Sequence, residues 1–284
     1  MQRLGDVASW RAFARRQRAS GRRVGLVPTM GALHEGHLSL FAAARGNGDV
    51  VLATSFLNPR QFSDAADLAA YPRDAARDAA LAEPWVDALV EPSLAEMWPE
   101  YPAATATTVS VAGLGDVLEG EGRPGHFAGV ASVVTKLLAV TGPCRAYFGE
   151  KDYQQLIVVR RLVRDLAFDA EVVGCPIVRD AEGLAISSRN VRLSPDGRAR
   201  ALGLSRAVAA AAARAVPASE MRAAMRAILE SSGVAVAYCE VVDPLTLAPS
   251  GDDESGERRA LVAGVVEGVR LIDNGPVALR AKGQ

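Results

Sequence analysis

Short apolar runs alternate with amphipathic helical segments through the first half of the chain, and this alternation restricts the fold more than any other feature. The predicted strands are residues 24–27, 50–56, 86–90 and 146–148. The predicted helices run from the capping residue Asp6 to about Ser20, from Gly36 to about Gly46, over 73–81, over 130–140, and onward from Asp152. This pattern predicts an α/β fold with a Rossmann-like parallel sheet, whose active site lies at the carboxyl ends of the strands.

The sequence changes in character near residues 175 and 176. Beyond this point, two alanine-rich helical segments at 199–215 and 219–231 precede strand-like runs at 235–242, 260–266 and 269–272. The polar stretch 250–259 is expected to be a surface loop. We therefore predict a catalytic domain over 1–175 and a smaller α+β domain over 176–284, which we expect to act as a lid on the active site.

Composition limits the class of protein. The chain has 284 residues and a formal net charge of -1, so it has no basic field for binding nucleic acid. Its three cysteines include no C-x-x-C pair, and no uncharged apolar run reaches the roughly 20 residues of a membrane span. We expect a cytoplasmic enzyme without nucleic-acid or membrane partners.

The first strand leads into a glycine-containing stretch, residues 28–37, that carries two of the three histidines. His34 and His37 are three residues apart and lie where a helix is predicted to begin. Exposed backbone N–H groups and the helix dipole favour phosphate at such a position, so we expect a nucleotide ligand. Gly36 is a poor helix residue, which indicates that something flat, such as a purine, approaches the backbone closely.

Other interpretations of these motifs fit the sequence less well. A zinc pair is disfavoured because the metalloprotease motif is His-Glu-x-x-His, and here the second histidine comes one residue early. A second alternative, that the two histidines simply begin a helix and take no part in chemistry, stays open. The glycine pattern at 120–125 resembles a dinucleotide motif, but Pro124 interrupts it and no Asp or Glu occurs from 126 to 149. The phosphate-binding motif G-x-x-x-x-G-K-[ST] does not occur.

The H-x-G-H turn is similar to the signature of the nucleotidylyltransferase superfamily, which includes class I aminoacyl-tRNA synthetases. Its longer form over residues 28–37 resembles that of the pantothenate synthetase (pantoate–β-alanine ligase) family. Further segments match this family in order along the chain, at 56–62, 123–127, 147–155, 186–190 and 270–274. Two positions differ or vary: Ile186 stands where the family usually has methionine, and Arg60 occupies a variable place.

The resemblance implies an amide-forming ligase that activates a carboxylate with ATP. Pantoate attacks the α-phosphorus, which releases pyrophosphate and forms pantoyl adenylate. The amine of β-alanine then displaces AMP to give pantothenate. The family further implies Mg²⁺ with the ATP, whose ligands stay open, and a homodimer formed through the N-terminal domain. Asp74 and Asp78, on one predicted helix, could assist a metal, although an exposed carboxylate pair is commoner.

The resemblance also implies a role for individual residues. It assigns catalysis to four side chains that contact ATP phosphates or their charge: His34, His37, Lys151 and Arg189. Its ATP site comprises Met30, Gly31, Ala32, Leu33, His34, Glu35, Gly36, His37, Gly149, Glu150, Lys151, Asp152, Val178, Ile186, Ser187, Ser188 and Arg189. Its pantoate site comprises Gln61 and Gln155, completed by Asn58 and Phe62. Asp152 is expected to hold the ribose or Mg²⁺, and Arg123 and His126 are expected to end a flexible loop that gates the substrate.

Two alternative functions stay open. A different nucleotidylyltransferase would transfer AMP to a phosphate substrate, but it needs cationic groups where this chain has the neutral Gln61 and Gln155. A non-catalytic nucleotide-binding regulator would keep the ATP contacts without turnover, and the presence of His37, Lys151 and Arg189 argues against it. Pyrophosphate exchange into ATP distinguishes these functions, because the ligase requires pantoate for exchange but not β-alanine.

Overall fold

The computed structural model describes residues 1–283, which form two compact units. The first unit comprises Met1–Glu150 and Gln154–Pro176. The second comprises Lys151–Tyr153 and the chain from Ile177 onward. The tripeptide Lys151–Tyr153 therefore belongs structurally with the second unit, although the sequence on both sides of it belongs with the first.

The first unit is built on a sheet of six parallel strands in the order β1-β4-β3-β2-β5-β6. Their bounds are Gln2–Leu4 (β1), Val24–Thr29 (β2), Val50–Ser55 (β3), Ala88–Val90 (β4), Cys144–Gly149 (β5) and Ala170–Cys175 (β6). The strand order reverses between β2 and β5, and Rossmann-like sheets bind their ligands at such a point. The predicted fold class is confirmed, although the sequence-based prediction lacks the edge strands β1 and β6.

Helices connect these strands. Their bounds are Val7–Ala19 (α1), Glu35–Gly46 (α2), Ala65–Ala69 (α3), Ala75–Ala82 (α4), Leu94–Met97 (α5), Glu119–Gly122 (α6), His126–Thr141 (α7) and Tyr153–Asp165 (α8). Asp6 caps α1 as predicted, since its carboxylate accepts the Ser9 N–H at 2.7 Å. Within residues 1–283, the helices lack the combination of length and apolar character that a bilayer crossing requires.

Helix α2 is fixed against the sheet by its apolar face. Leu40, Phe41 and Ala44 are buried on this face and belong to one cluster with Val27 of β2 and Val51 of β3. Full burial of a Leu or Phe side chain contributes about 1.5–3 kcal/mol. This packing holds the start of α2, which carries both histidines of the turn, next to the carboxyl end of β2.

The second unit has a three-stranded antiparallel sheet in the order β7-β8-β9, and two long helices pack on it. The bounds are Ala235–Val242 (β7), Gly256–Val266 (β8), Val269–Leu279 (β9), Pro195–Ala212 (α9) and Ala218–Ser231 (α10). Buried apolar side chains from the helices and the sheet form one core, which includes Leu204, Met221, Met225 and Val262. The predicted α+β class of this half is confirmed.

Capping and buried polar residues explain where the element bounds differ from the prediction. Helix α9 begins four residues before its predicted start, at Pro195, because the Ser194 hydroxyl caps its first turn. The predicted surface loop 250–259 is wrong over its last four residues, which form the start of β8. Arg259 is buried there, and its Nε donates to the Asn274 side chain on β9 at 2.9 Å, which offsets the cost of burying the guanidinium.

Candidate active site

Three segments that the sequence singled out follow adjacent parallel strands of the first unit. Strand β2 pairs with β3 on one side, with Thr29 opposite Ser55, and with β5 on the other. The histidine turn follows β2, the loop containing Asn58 follows β3, and Gly149 ends β5. Because parallel strands have their carboxyl ends at the same edge of a sheet, these three segments lie side by side there.

A buried carboxylate holds the turn between β2 and α2. Gly31 and Ala32 both adopt positive φ angles, of 80° and 49°. The Asp78 side chain on α4 accepts the N–H of Ala32 at 2.8 Å and the N–H of Leu33 at 2.7 Å. Asp78 is 3% exposed, so these charge-assisted bonds are shielded from water. They fix the backbone that leads into the histidines.

The position of Asp78 corrects two expectations from the sequence. Asp78 is buried and does not form an exposed carboxylate pair with Asp74, which instead caps α4. Both Asp78 oxygens accept backbone N–H groups, so they are not arranged as metal ligands. The N–H groups of Ala32 and Leu33 are used by Asp78 and are not donors for phosphate. The histidine side chains are therefore the principal phosphate-binding candidates of the turn.

His34 and His37 form a pair of tilted, adjacent rings at the start of α2. His34 is the N-cap residue, and the two ring centroids are 4.1 Å apart. The backbone N–H of His34 donates to Nδ1 of His37 at 3.3 Å. A neutral imidazole that accepts at Nδ1 carries its proton on Nε2. This bond therefore favours the His37 tautomer with an Nε2–H donor, which is the group that a phosphate oxygen needs.

Gly36 is required by the neighbouring His34 ring. A Cβ atom placed on Gly36 would lie 2.9 Å from Cε1 and 3.0 Å from Nδ1 of His34. Carbon atoms in contact are normally about 3.5–4.0 Å apart, so any larger residue here would displace the ring. The His34 ring thus gives a structural reason for the glycine at this position, and the close approach of a purine to Gly36 stays a prediction.

Asn58 and Gln61 share a buried hydrogen-bond system after β3. Asn58 is 1% exposed, and its amide donates to Gln61 Oε1 at 3.0 Å and to the Gly129 carbonyl at 3.1 Å. Its Oδ1 accepts the indole N–H of Trp98 at 3.0 Å. The amide nitrogen of Gln61 in turn lies 3.0 Å from the sulfur of Met30. Asn58 thus fixes the Gln61 side chain beside the histidine turn, and its own contact with substrate stays a prediction.

The third histidine supports the same loop from helix α7. His126 is 8% exposed, and its Nδ1 donates to the Gln61 carbonyl at 2.7 Å. A guanidinium nitrogen of Arg123 lies 3.3 Å from His126 Nε2. Gly129 permits the close approach of the helix, since a Cβ there would lie 2.2 Å from the Arg60 carbonyl oxygen. We predicted that a flexible loop ends at Arg123 and His126. This prediction is wrong for His126, which begins α7 and is anchored to the loop after β3.

The two successive glutamines at the start of α8 differ in their surroundings. Gln154 is 5% exposed, and its amide donates to two backbone carbonyls of the segment before α6, at 2.8 Å and 2.7 Å. Gln155, the predicted pantoate ligand, is only partly buried. Phe62 is also partly buried, and its ring meets that of Tyr71 edge-on with centroids 5.8 Å apart. The accessible amide is that of Gln155, whose contact with pantoate stays a prediction.

In the second unit, Lys151 and Asp152 lie on the short 3-10 turn before α8. The Nζ of Lys151 is 3.3 Å from Oδ1 of Asp152, and the two side chains are 20% and 50% exposed. The Asn274 side chain on β9 donates to the Lys151 carbonyl at 2.9 Å. The backbone of Lys151 is therefore fixed, while its ammonium group remains partly exposed.

The second predicted phosphate-binding segment follows a small hairpin of the second unit. The hairpin closes where the Ile186 N–H donates to the Val178 carbonyl at 3.0 Å. A 3-10 helix, Ser188–Arg192, comes next and is capped by Ser187, whose hydroxyl accepts the Arg189 N–H at 3.3 Å. The predicted ATP contacts of this region thus occupy a partly buried hairpin and the short helix directly after it.

Metal-ligating side chains are not clustered in the part of the chain that the structure describes. Residues 1–283 contain no group of three or more His, Cys, Asp or Glu side chains placed to hold a metal ion. A magnesium ion bound to a nucleotide would need only one or two protein carboxylates, because Mg²⁺ keeps phosphate and water ligands. Asp152, half exposed beside Lys151, has the donor chemistry for that task.

The cysteines are unsuited to nucleophilic chemistry. Cys144, Cys175 and Cys239 are buried with free thiols. Burial raises the pKa of Cys144 to about 12 and the pKa values of Cys175 and Cys239 to about 11. All three are therefore protonated and weakly nucleophilic at neutral pH.

Comparison with known proteins identifies the family to which this chain belongs. The family model described as pantoate-beta-alanine ligase matches residues 2–276. The chain belongs to the pantoate–β-alanine ligase family. Among curated members, the pantothenate synthetase of Cereibacter sphaeroides is 51% identical over 280 residues, which cover 96% of this chain and 99% of the relative. The pantothenate synthetase of Chelativorans sp. is 53% identical over 278 residues, which cover 96% and 94%.

Solved structures of pantoate–β-alanine ligases share the fold described above. The pantothenate synthetase from Thermus thermophilus has a TM-score of 0.89 and 46% sequence identity, covering 97% of this chain and 99% of that chain. The pantoate-beta-alanine ligase from Francisella tularensis, complexed with beta-gamma ATP and beta-alanine, has a TM-score of 0.79 and 30% identity, covering 97% of both chains. The enzyme class predicted from the sequence, a ligase of this family, is confirmed.

Proposed function

We propose that this ligase condenses pantoate with β-alanine to form pantothenate and converts ATP into AMP and pyrophosphate. In the first step, a carboxylate oxygen of pantoate attacks the α-phosphorus, and pyrophosphate leaves with the electron pair of the broken P–O bond. In the second step, the amine of β-alanine attacks the acyl carbon of pantoyl adenylate, loses a proton, and displaces AMP. Membership of the family and the geometry of the histidine turn support this proposal.

The His34–His37 pair is the observation that carries the proposal. The Nε2–H of His37 donates to the phosphate that leaves as pyrophosphate, and His34 contacts a neighbouring phosphate oxygen. Donors that are already in place when charge develops stabilise a transition state without reorganisation. The hydrogen bond from the His34 backbone to His37 Nδ1 supports this arrangement, because it orients the His37 ring before ATP binds.

Lys151 and Arg189 neutralise charge on the triphosphate in this proposal. Arginine presents a planar fork that can grip two phosphate oxygens, and lysine acts as a mobile point charge. The hydroxyls of Ser187 and Ser188 add hydrogen bonds to phosphate. Asp152 holds the ribose or the Mg²⁺ that accompanies ATP. The remaining proposed nucleotide contacts are Met30, Gly31, Ala32, Leu33, Glu35, Gly36, Gly149 and Glu150 in the first unit, and Val178 and Ile186 in the second.

Gln61 and Gln155 bind the hydroxyls and carboxylate of pantoate in this proposal. A neutral amide donates hydrogen bonds without forming an ion pair, so the carboxylate keeps its nucleophilicity. The contacts of Asn58 and His126 that fix Gln61 support its role. Phe62 supplies apolar surface for the two methyl groups of pantoate.

The resemblance to the family also leads us to propose Mg²⁺ with the ATP, a homodimer formed through the first unit, and action in the cytoplasm. Dimer formation is measured by analytical ultracentrifugation, and the Mg²⁺ requirement by activity after chelation and readdition. A monomer at all concentrations, or full activity in excess chelator, would remove the corresponding statement without affecting the others.

Isotope transfer tests the chemistry itself. Pantoate labelled with ¹⁸O in its carboxylate is turned over with ATP, Mg²⁺ and β-alanine, and the AMP is analysed by mass spectrometry. Attack on the α-phosphorus leaves one carboxylate oxygen on phosphorus, so each AMP should carry one ¹⁸O atom. Unlabelled AMP, or label in inorganic phosphate with ADP as the nucleotide product, would contradict the adenylate route.

A further inference from the structure

Two neighbouring residues of β9, Asp273 and Asn274, are buried polar side chains that the proposed reaction does not use directly. Each is 2% exposed. They belong to segment 270–274, which matches the family in sequence but carries no role in the reaction outlined above. Burial of a carboxylate and an amide is costly unless their hydrogen bonds are satisfied, so the partners of these groups indicate their purpose.

Asn274 joins Lys151 to a buried arginine. Its Nδ2 donates to the Lys151 carbonyl at 2.9 Å, and its Oδ1 accepts from Arg259 at 2.9 Å and 2.5 Å. The Arg259 guanidinium also lies over the Tyr153 ring, 4.0 Å from its centroid. Residues on both sides of Asp152 are therefore held by one network from β8 and β9. This network sets the point from which the Lys151 side chain extends.

Asp273 performs a similar task for the segment that carries Arg189. Its two oxygens accept from the two terminal nitrogens of Arg179, at 2.6 Å and 2.9 Å. Arg179 lies on the hairpin, opposite Ala185, and also donates to the Gly183 carbonyl at 3.1 Å. The hairpin leads directly into the short helix with Arg189. The buried Asp273–Arg179 pair therefore fixes the base of that segment.

We propose that Asp273 and Asn274 are positioning residues that set the two phosphate-binding cations of the second unit, Lys151 and Arg189, from a single strand. Neither residue touches substrate. Asn274 acts through the backbone of Lys151, and Asp273 acts through the hairpin before Arg189. This inference rests on the proposed function, because it assumes that both cations serve the adenylation step.

Asn274→Asp tests the first arm of the proposal. This change keeps the size of the side chain and an oxygen acceptor for Arg259, but it removes the donor to the Lys151 carbonyl. We expect kcat for pantoate-dependent exchange of pyrophosphate into ATP to fall at least tenfold, with less than a threefold change in the KM for ATP. In a Lys151→Met background, measured at high enzyme concentration, the same change should alter exchange less than twofold, because Asn274 acts through Lys151.

Asp273→Asn tests the second arm, with Asp252→Asn as its matched control. Asp273→Asn weakens the bond to Arg179, and its effect on kcat should vanish in an Arg189→Ala background. Asp252 is a partly buried residue of the same unit whose carboxylate accepts the backbone N–H and hydroxyl of Ser219. The control weakens hydrogen bonds of a carboxylate away from both cations and should leave kcat unchanged.

The outcomes separate a positioning role from a structural one. Exchange that stays within twofold of the unmodified protein in Asn274→Asp would overturn the proposal, as would an equal loss in the presence and absence of the Lys151 side chain. If Asn274→Asp does not fold, Asn274→Ser replaces it with the same expectations. An unmodified protein without pantoate-dependent exchange would instead refute the proposed function, so the two failures are distinguishable.

Discussion

Replacing Gly36 by alanine should abolish most activity without destabilising the fold. Alanine is better than glycine inside a helix by about 1 kcal/mol, and Gly36 is the second residue of α2. The added Cβ would meet the His34 ring at 2.9 Å and 3.0 Å, so the ring must move by roughly 0.5–1 Å to restore normal contacts. A misplacement of about 1 Å at a catalytic group can lower a rate about a hundredfold.

Two measurements on Gly36→Ala separate these effects. Denaturant unfolding should show a free energy of unfolding within about 1 kcal/mol of the unmodified protein, since the helix gain offsets the cost of moving the ring. Pantoate-dependent exchange of pyrophosphate into ATP should fall about a hundredfold. Gly46→Ala is the control, because Gly46 ends the same helix and its Cβ would have no atom within 4 Å. Normal exchange in Gly36→Ala would refute the role given to the His34 ring.

Three further predictions concern the turn, the cations and the pantoate site. Asp78→Ala should lower the free energy of unfolding by about 2–6 kcal/mol, measured by denaturant titration, because the buried N–H groups of Ala32 and Leu33 lose their acceptors; a loss below about 1 kcal/mol would contradict this. Arg189→Ala should lower kcat far more than it weakens adenosine binding measured by calorimetry, and equal weakening of adenosine and ATP with unchanged kcat would be evidence against its assignment. Gln155→Ala should weaken pantoate binding by about 1–3 kcal/mol and leave single-turnover aminolysis of saturating pantoyl adenylate unchanged, whereas an equal fall in both steps would reassign Gln155 to the amine step.

The interior of the parallel sheet was predictable because its strands are apolar. β2 and β3 are buried along almost their whole length, and short runs rich in valine and leucine mark them. The edge strands β1 and β6 are largely exposed or partly buried, so their sequences lack that signal. Edge strands such as these are defined by hydrogen bonds to a neighbour, which hydrophobic patterning does not reveal.

The candidate site was predictable where its chemistry is local in sequence. His34 and His37 are close neighbours, and their spacing with Gly36 led directly to the nucleotide turn. The spacing alone could not show that the His34 ring lies against Gly36, because the position of that ring depends on side-chain geometry. The contact of a purine with Gly36 stays a prediction.

The hydrogen bonds that hold the site residues in place were not predictable from sequence spacing, because they join residues that are distant in sequence. Asp78 contacts the turn 45 and 46 positions away, and His126 contacts the Gln61 carbonyl 65 positions away. Asn274 contacts Lys151 across 123 positions. Single-sequence patterns report local periodicity, whereas these bonds depend on which elements the fold brings together.

Exchange of radiolabelled pyrophosphate into ATP, with pantoate and Mg²⁺ present and β-alanine omitted, is the most direct test of the central claim. In the proposed reaction, this chain forms pantoyl adenylate reversibly before the amine takes part. We therefore expect exchange that depends on pantoate and needs no β-alanine. Exchange at the same rate without pantoate, or no exchange when ATP, Mg²⁺ and pantoate are all supplied, would contradict this expectation.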